Sequence, residues 1–323
     1  MKALVIGGGG FVGGYLTEEL AAHGYEVSAT CLPGEIISGD RELLPLDIGS
    51  KEDISAILGE TSPDVVFHLA AQSSVALSWK EPQLTAEVNV IGGINLLEAL
   101  RGKNIRTVLI GSGEEYGYIR QNACPLSEDE PLRPGNVYAA TKACQEMLGQ
   151  IYARAYSMDI VMARSFNHSG PGQSRAFVIS DFCRQAAEIG LGLKAPEIAV
   201  GNLGARRDFT DVRDVVRAYR LLGEKGISGE IYNVGRGKAV SIGEILDCVI
   251  AMADCGISVK TDESRLRAAD IPLIEPDVSK ILRDTGWQAE ISLEKTIGDT
   301  LDYWRNFLRD EAQRGDFCGK TDK

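Results

Sequence analysis

The feature that most limits what this chain can fold into is a run of glycines set between a strand and a helix. Ala3-Leu4-Val5-Ile6 is a short apolar run with no alternation, the pattern of a strand buried on both faces. It leads into Gly7-Gly8-Gly9-Gly10-Phe11-Val12-Gly13-Gly14 and then a helical segment over residues 15–23. Gly7, Gly10 and Gly13 fit the spacing GxxGxxG. The first glycine allows a tight turn, and the second lets the backbone approach a pyrophosphate. The third lets the helix pack close to the strand, with its first amides, those of Phe11 and Val12, aimed at phosphates. A glycine turn with no ligand is the plain alternative.

The pattern continues as strand and helix in turn. Strands are predicted at residues 26–30, 64–69, 107–111 and 159–163, with helices at 90–101 and 138–156. Such alternation implies an α/β fold, a doubly wound (Rossmann) parallel sheet covered on both sides. After Asn167 the chain becomes rich in turns, beginning with His168-Ser-Gly-Pro-Gly-Gln173. A smaller, interleaved substrate lobe is expected there. The expected division is residues 1–167 plus about 206–235 for the dinucleotide domain, and 168–205 plus about 236–308 for the lobe. Residues 309–323 read as a polar tail that frays.

Composition narrows the class of partner. Apolar residues make up 44% and charged residues 25%, as in soluble globular proteins, and the net charge is −12. No nucleic acid and no anionic membrane surface is expected as the target, since each needs a net basic face. An anionic substrate then requires a local basic cluster. The seven cysteines (31, 124, 144, 183, 248, 255, 318) show no CxxC spacing, and the three histidines (23, 68, 168) no ligand pattern. Neither a metal site nor a disulfide framework is expected, and the usage fits a reduced cytoplasmic compartment. The uncharged segment 3–17 is too short and too glycine-rich to span a bilayer.

Tyr138-Ala-Ala-Thr-Lys142 places a phenol and an ammonium on one helix face at i, i+4. A cation beside a phenol favours the phenolate. Ser112 ends the preceding strand, on the side where open α/β sheets bind ligands, ready to hydrogen-bond a reacting carbonyl or alkoxide. The second strand ends Ala29-Thr30-Cys31, with neither an acid for a ribose 2′-hydroxyl nor an arginine for a 2′-phosphate. That neutral end argues against strict NAD use and leaves NADP(H) open. Asp47 is a candidate acceptor for the adenine amino group, or equally a turn or helix-cap aspartate.

Together with His68-Leu-Ala-Ala71, these motifs resemble the extended short-chain dehydrogenase/reductase family over about residues 1–305. Within it, several blocks resemble enzymes acting on GDP-4-keto-6-deoxymannose. They are Gln72-Ser-Ser-Val-Ala-Leu-Ser-Trp79, Gly113-Glu-Glu-Tyr-Gly117, Arg164-Ser-Phe-Asn167 with the turn cluster after it, Phe177-Val178, and Arg207-Asp-Phe-Thr-Asp-Val-Arg-Asp214. The resemblance is strongest to the reductases of that group. It implies NADP(H) or NAD(H) as cofactor and reduction of the C4 ketone of the GDP-sugar to a GDP-6-deoxyhexose, GDP-D-rhamnose. It makes Tyr138 the proton donor, Lys142 the nicotinamide-ribose ligand and Ser112 the support of the substrate oxygen. Gly7, Gly10, Phe11, Val12, Gly13, Asp47, Ile48, Leu69, Ala70 and Ala71 would line the cofactor. Ser73, Ser74, Asn167, Val178, Arg207 and Arg267 would hold the sugar nucleotide. The residues themselves agree that Arg206, Arg207 and Arg213, with Arg265 and Arg267, are cationic clusters suited to a diphosphate. Glu114 keeps an alternative open. A 4,6-dehydratase needs a further acid/base, and relatives of that kind carry a glutamate there. Epimerases of the same family are a further alternative. A non-catalytic dinucleotide sensor is opposed by the retained serine, tyrosine and lysine. The helices at 90–101 and 138–156 resemble the pair through which the family forms homodimers.

Overall fold

The computed structural model describes residues 1–35, 42–119, 123–265 and 271–313. Its strands are β1 (Lys2–Ile6), β2 (Glu26–Cys31), β3 (Leu44–Pro45), β4 (Val65–His68), β5 (Arg106–Ser112), β6 (Ile160–Ser165), β7 (Asn167–Ser169), β8 (Glu197–Val200), β9 (Arg206–Asp211), β10 (Ile231–Val234), β11 (Ala239–Ser241), β12 (Ser258–Thr261) and β13 (Leu273–Ile274). Its α-helices are α1 (Phe11–Ala22), α2 (Lys51–Thr61), α3 (Val75–Lys80), α4 (Pro82–Ala86), α5 (Gly92–Leu100), α6 (Val137–Tyr156), α7 (Val178–Gly190), α8 (Val212–Lys225), α9 (Ile242–Ala253), α10 (Ser279–Thr285) and α11 (Leu293–Gln313).

Seven strands form one parallel sheet in the order β10-β6-β5-β4-β1-β2-β3. The expected doubly wound sheet is therefore present. Its order reverses between β1 and β4, which opens a crevice at their carboxyl ends, where this class of sheet binds ligands. Strand residues alternate between two cores. Val65, Phe67, Val108 and Val161 face α1 and α8, while Val66, Leu109, Ile160 and Met162 face α2, α5 and α6. Burial on both faces is why these strands read as unbroken apolar runs.

A second layer surrounds the carboxyl ends of the main sheet. Strand β9 pairs with β11, β13 and β7, and β8 pairs with β12. Helices α7, α9 and α11 close a separate core around Phe182, Ile198, Phe209, Val249 and Trp304. Three stretches differ from the expected division. The chain rejoins the main sheet only with α8 and β10, because the edges of β9 at 206–211 are taken by β7, β11 and β13. Ile281 of α10 and Trp287 also pack into the main core, not into the lobe. At the other end, α11 runs to Gln313, so residues 309–313 are helical. The stripe Ile297, Leu301, Trp304, Leu308 carries the helix past 308 at i, i+3 and i+4. Among the described residues no helix is long and apolar enough to cross a membrane.

The predicted helix at 90–101 also starts differently. Residues Glu87–Ile91 form a wide π turn that leads directly into α5. Wide turns of this kind concentrate at functional sites, and this one holds Asn89 fully buried against the crevice-side loop.

Candidate active site

The glycine turn shows why those positions bear no side chain. Gly7 has φ +92°, and a Cβ there would lie 2.8 Å from the Ala70 amide nitrogen. A Cβ on Gly13 would stand 2.2 Å from the Gly7 carbonyl oxygen, so α1 could not approach β1. Gly10 is the N-cap of α1 and supplies no side-chain cap. The first-turn amides of Phe11 and Val12 are donors no helix can satisfy internally. Leu69 and Ala70 both donate to the Ile6 carbonyl at 2.9 Å, which sets residues 69–71 against the turn. This cradle, with open donors at a positive helix end, fits the pyrophosphate of a nicotinamide dinucleotide.

Ser112, the last residue of β5, caps the short 3₁₀ turn Gly113–Tyr116. Its hydroxyl accepts from the Glu114 amide at 3.2 Å, while its own amide donates to Glu115 Oε1 at 2.6 Å. Tyr138 lies in the first turn of α6, which Asn136 caps by accepting from the Ala139 amide at 2.8 Å. The Ser112 side chain beside Tyr138 favours the ionised phenol, against the burial that raises it. One turn further on, Lys142 is 3% exposed and its Nζ donates to the Ile110 carbonyl at 2.7 Å and to Gln145 Oε1 at 3.1 Å. Burial pushes Tyr138 up to about 12 and Lys142 down to about 8. The lowering of the phenol by Lys142 expected from the spacing is not among the influences on Tyr138. These are its burial, the Ser112 side chain, and the repulsion of Glu115 and Glu114. The ammonium is instead drawn toward the sheet by the Ile110 carbonyl.

Ser112, Glu114, Asn167, Arg207 and Asp208 line one cleft with Ser165, Phe166 and Ile274. Asn136 Nδ2 donates to Glu114 Oε2 at 3.3 Å, linking that carboxylate to the start of α6. Of the described arginines proposed for a diphosphate, Arg207 alone lines this cleft. Its guanidinium donates to the carbonyls of Arg206 and Ile271 at 2.9 and 2.6 Å. Arg206 pairs with Glu244, Arg213 with Asp211 and Asp299, and Arg265 with Asp181. Arg267 lies outside the described residues.

Several expected ligand residues have structural tasks here. The Asp47 carboxylate accepts from the Gly49 amide at 2.8 Å, the turn role left open above. Ile48 is buried in the core beneath α5, where a Cβ on Gly92 would lie 2.7 Å from its Cγ2. Ser74 caps α3 by accepting from the Leu77 amide, and Ser73 is exposed beside it. Val178 begins α7 and packs on the lobe core.

Asn89 was not singled out by the sequence, and His68 and Glu115 were quoted only as members of motifs. Asn89 Oδ1 accepts from the Gln72 amide at 2.8 Å, and its Nδ2 donates to Thr141 Oγ1 at 2.9 Å, next to Lys142 in sequence. An asparagine inside an apolar helical run was the available signal. His68 is fully buried, neither ring nitrogen has a hydrogen-bond partner, and burial with nearby Lys142 holds it down to about 3, so the ring is neutral. Glu115 is fully buried beneath Ser112, and burial together with Glu146 raises it well above the carboxylate range. Among the described residues no cluster of three or more His, Cys, Asp or Glu could hold a metal.

A doubly wound sheet with a glycine turn at its switch point and a serine, tyrosine and lysine at the carboxyl ends of its strands defines an oxidoreductase of the extended short-chain dehydrogenase/reductase class. Within that class the chain belongs to the GDP-mannose 4,6 dehydratase family, whose model matches residues 4–300. It is 34% identical over 251 residues to GDP-6-deoxy-D-mannose reductase of Pseudomonas aeruginosa, covering 77% of this chain and 83% of that one. It is 31% identical over 318 residues to UDP-glucose 4-epimerase of Mycolicibacterium smegmatis, covering 95% and 99%. The solved structure of RMD from Pseudomonas aeruginosa complexed with NADPH superposes with a TM-score of 0.85 at 31% identity, covering 95% and 99%.

Proposed function

We propose that the protein reduces the C4 ketone of GDP-4-keto-6-deoxymannose to a GDP-6-deoxyhexose, GDP-D-rhamnose, with NADPH or NADH as reductant. One observation carries this reading. Ser112, beside Tyr138, lines the cleft that also contains Asn167 and Arg207, in a chain similar to a GDP-6-deoxy-D-mannose reductase.

The bound dihydronicotinamide supplies hydride to C4. The rest is done by this chain. Tyr138 gives its proton to the ketone oxygen, so that C=O becomes CH–OH, and the phenolate then recovers a proton from solvent. Burial keeps Tyr138 protonated at neutral pH, and the protonated phenol is the form a reduction consumes. Ser112 donates a hydrogen bond to the oxygen as charge develops there. Lys142, anchored to the Ile110 carbonyl, orients the ribose. Gly7, Gly10, Phe11, Val12 and Gly13 hold the pyrophosphate, with Leu69, Ala70 and Ala71 beside it. Arg207 and Asn167 hold the sugar diphosphate. Residues 1–167 with 212–235 bear the dinucleotide, and the lobe bears the sugar nucleotide. The cytoplasmic placement read from the cysteines suits such a reaction. Ile91, Met147 and Ile151 leave an apolar face exposed on the paired helices, which supports a homodimer.

A second reading, GDP-mannose 4,6-dehydratase, is favoured by Glu114, whose carboxylate lines the same cleft. It would serve as the additional acid/base for removing the C5 proton and expelling water from C6. Two reactions separate the readings. The reductase consumes the keto sugar and reduced nicotinamide together, and the product is identified by NMR. The dehydratase converts GDP-mannose alone, with no net change in nicotinamide. Loss of Tyr138 by Tyr138→Phe should lower turnover about 10²- to 10⁴-fold; unaltered turnover removes Tyr138 from the mechanism.

A further inference from the structure

We infer that Glu35 selects NAD(H) over NADP(H) by placing a carboxylate at the tip of β2 from a turn beyond the strand. The inference rests on the reading that the glycine turn binds a nicotinamide dinucleotide.

The tip of β2 is joined to the glycine turn. The Gly7 amide donates to Thr30 Oγ1 at 3.2 Å, and the Gly9 amide donates to the Thr30 carbonyl at 3.1 Å. In a doubly wound fold this strand end meets the adenosine ribose, and an acid there accepts a hydrogen bond from the 2′-hydroxyl. The strand itself ends in Thr30 and Cys31, which are neutral. The chain then turns back. The Glu35 amide donates to the Leu32 carbonyl at 3.0 Å, and Glu35 Oε2 accepts from the Leu32 amide at 3.0 Å.

This double contact fixes the carboxylate against the glycine turn. A Cβ added to Gly9 would lie 3.1 Å from Glu35 Oε2 and 3.2 Å from Cys31 Cβ. Burial and the Glu35 charge both push the Cys31 thiol up, as expected of a carboxylate alongside it. An acid four residues beyond the end of β2 thus takes the place that the strand leaves neutral. Leu32, Pro33 and Gly34 between them bring no cation.

The consequence follows from charge. A ribose 2′-hydroxyl donates to a carboxylate. A 2′-phosphate cannot donate when ionised and sets negative charge against negative charge. The net charge of −12 adds to that repulsion. The similar RMD structure is complexed with NADPH, so this chain is expected to differ from it in cofactor preference.

The test is equilibrium binding without sugar substrate. NADH and NADPH are titrated calorimetrically into the full-length protein and into Glu35→Gln and Glu35→Ala, at low and high salt. Wild type should bind NADH at least roughly tenfold more tightly, and both variants should shrink that ratio mainly by gaining affinity for NADPH. Added salt should shrink the ratio in wild type more than in Glu35→Gln, because only the charged side chain is screened. Equal or tighter NADPH binding by wild type overturns the inference, as does an unchanged ratio in both variants. Failure to bind either dinucleotide overturns the underlying cofactor reading as well.

Discussion

The Lys142 ammonium donates to the Ile110 main-chain carbonyl at 2.7 Å, across the seam between α6 and β5. The lysine of the YxxxK pair is therefore anchored to the sheet and not held only by its helix neighbours. Burial lowers it to about 8, opposed by the Glu115 charge. It is charged below that pH and neutral above. Dinucleotide affinity should thus weaken as pH rises through about 8 and should be flat with pH in Lys142→Met. Turnover of that variant should fall by roughly 10²-fold or more. Binding titrations from pH 6.5 to 9.5 check the first expectation, and nicotinamide absorbance the second. A wild-type affinity that does not change across that range excludes a charged Lys142 from cofactor binding.

What was readable in advance is what depends on local geometry. Gly7 and Gly13 announce themselves because a Cβ at either would collide with backbone. Tyr138 and Lys142 do so because i, i+4 spacing fixes one face. The acid at the tip of β2 was invisible, since Glu35 returns there only through a turn. The pairing of 206–211 was equally hidden: a strand pattern carries no label for the sheet it joins. The π turn before α5 escaped because one extra residue scarcely disturbs an apolar helical period. Asp47, Ile48 and Ser74 also serve a turn, a core and a cap.

Glu115 makes stability depend on pH in a definite direction. Its folded pKa is raised by burial and by Glu146, against the Ser112 amide, Arg164 and Lys142. Its contribution is fully present below the ordinary carboxylate value and is lost as pH rises toward the folded one. His68 has the opposite slope below about 6.5, because its pKa is lowered. The comparison is therefore between wild type and Glu115→Gln. Urea unfolding of wild type should lose stability relative to the variant, at up to about 1.4 kcal/mol per pH unit above pH 5. A constant difference between the two across pH 5 to 8 contradicts a raised Glu115.

The arginines near the lobe predict contrasting kinetics. Arg207 lines the cleft with Asn167 and Ser112. Arg206, its neighbour in sequence, extends to the exposed carboxylate of Glu244 at 3.1 Å. Losing a charged hydrogen bond to a diphosphate costs about 1.5–3 kcal/mol, so Arg207→Ala should raise the KM for the sugar nucleotide roughly 10- to 100-fold. An exposed ion pair is worth little, and Arg206→Ala should leave KM unchanged. Equal effects of the two substitutions would remove Arg207 from the substrate site.

Helix α6 divides its two faces sharply. Ala139, Ala143, Glu146 and Gly149 are buried toward the sheet, while Met147 and Ile151, one turn apart, are 52% and 56% exposed. Ile91, before α5, is 50% exposed, and Tyr156 at the end of α6 is 48% exposed. Water-facing apolar residues grouped on adjacent helices are usual where another surface covers them. In the proposed homodimer a second copy of the same face does so, with its α5 and α6 lying against these. The double substitution Met147→Glu, Ile151→Glu places four like charges across a two-fold interface, each partly desolvated. Light scattering should give a dimer for wild type and a monomer for this variant. Thermal unfolding separates loss of the interface from loss of the fold, because both positions are exposed in one copy. A wild-type monomer at micromolar concentration, or a variant that still dimerises, rules out this face as the contact.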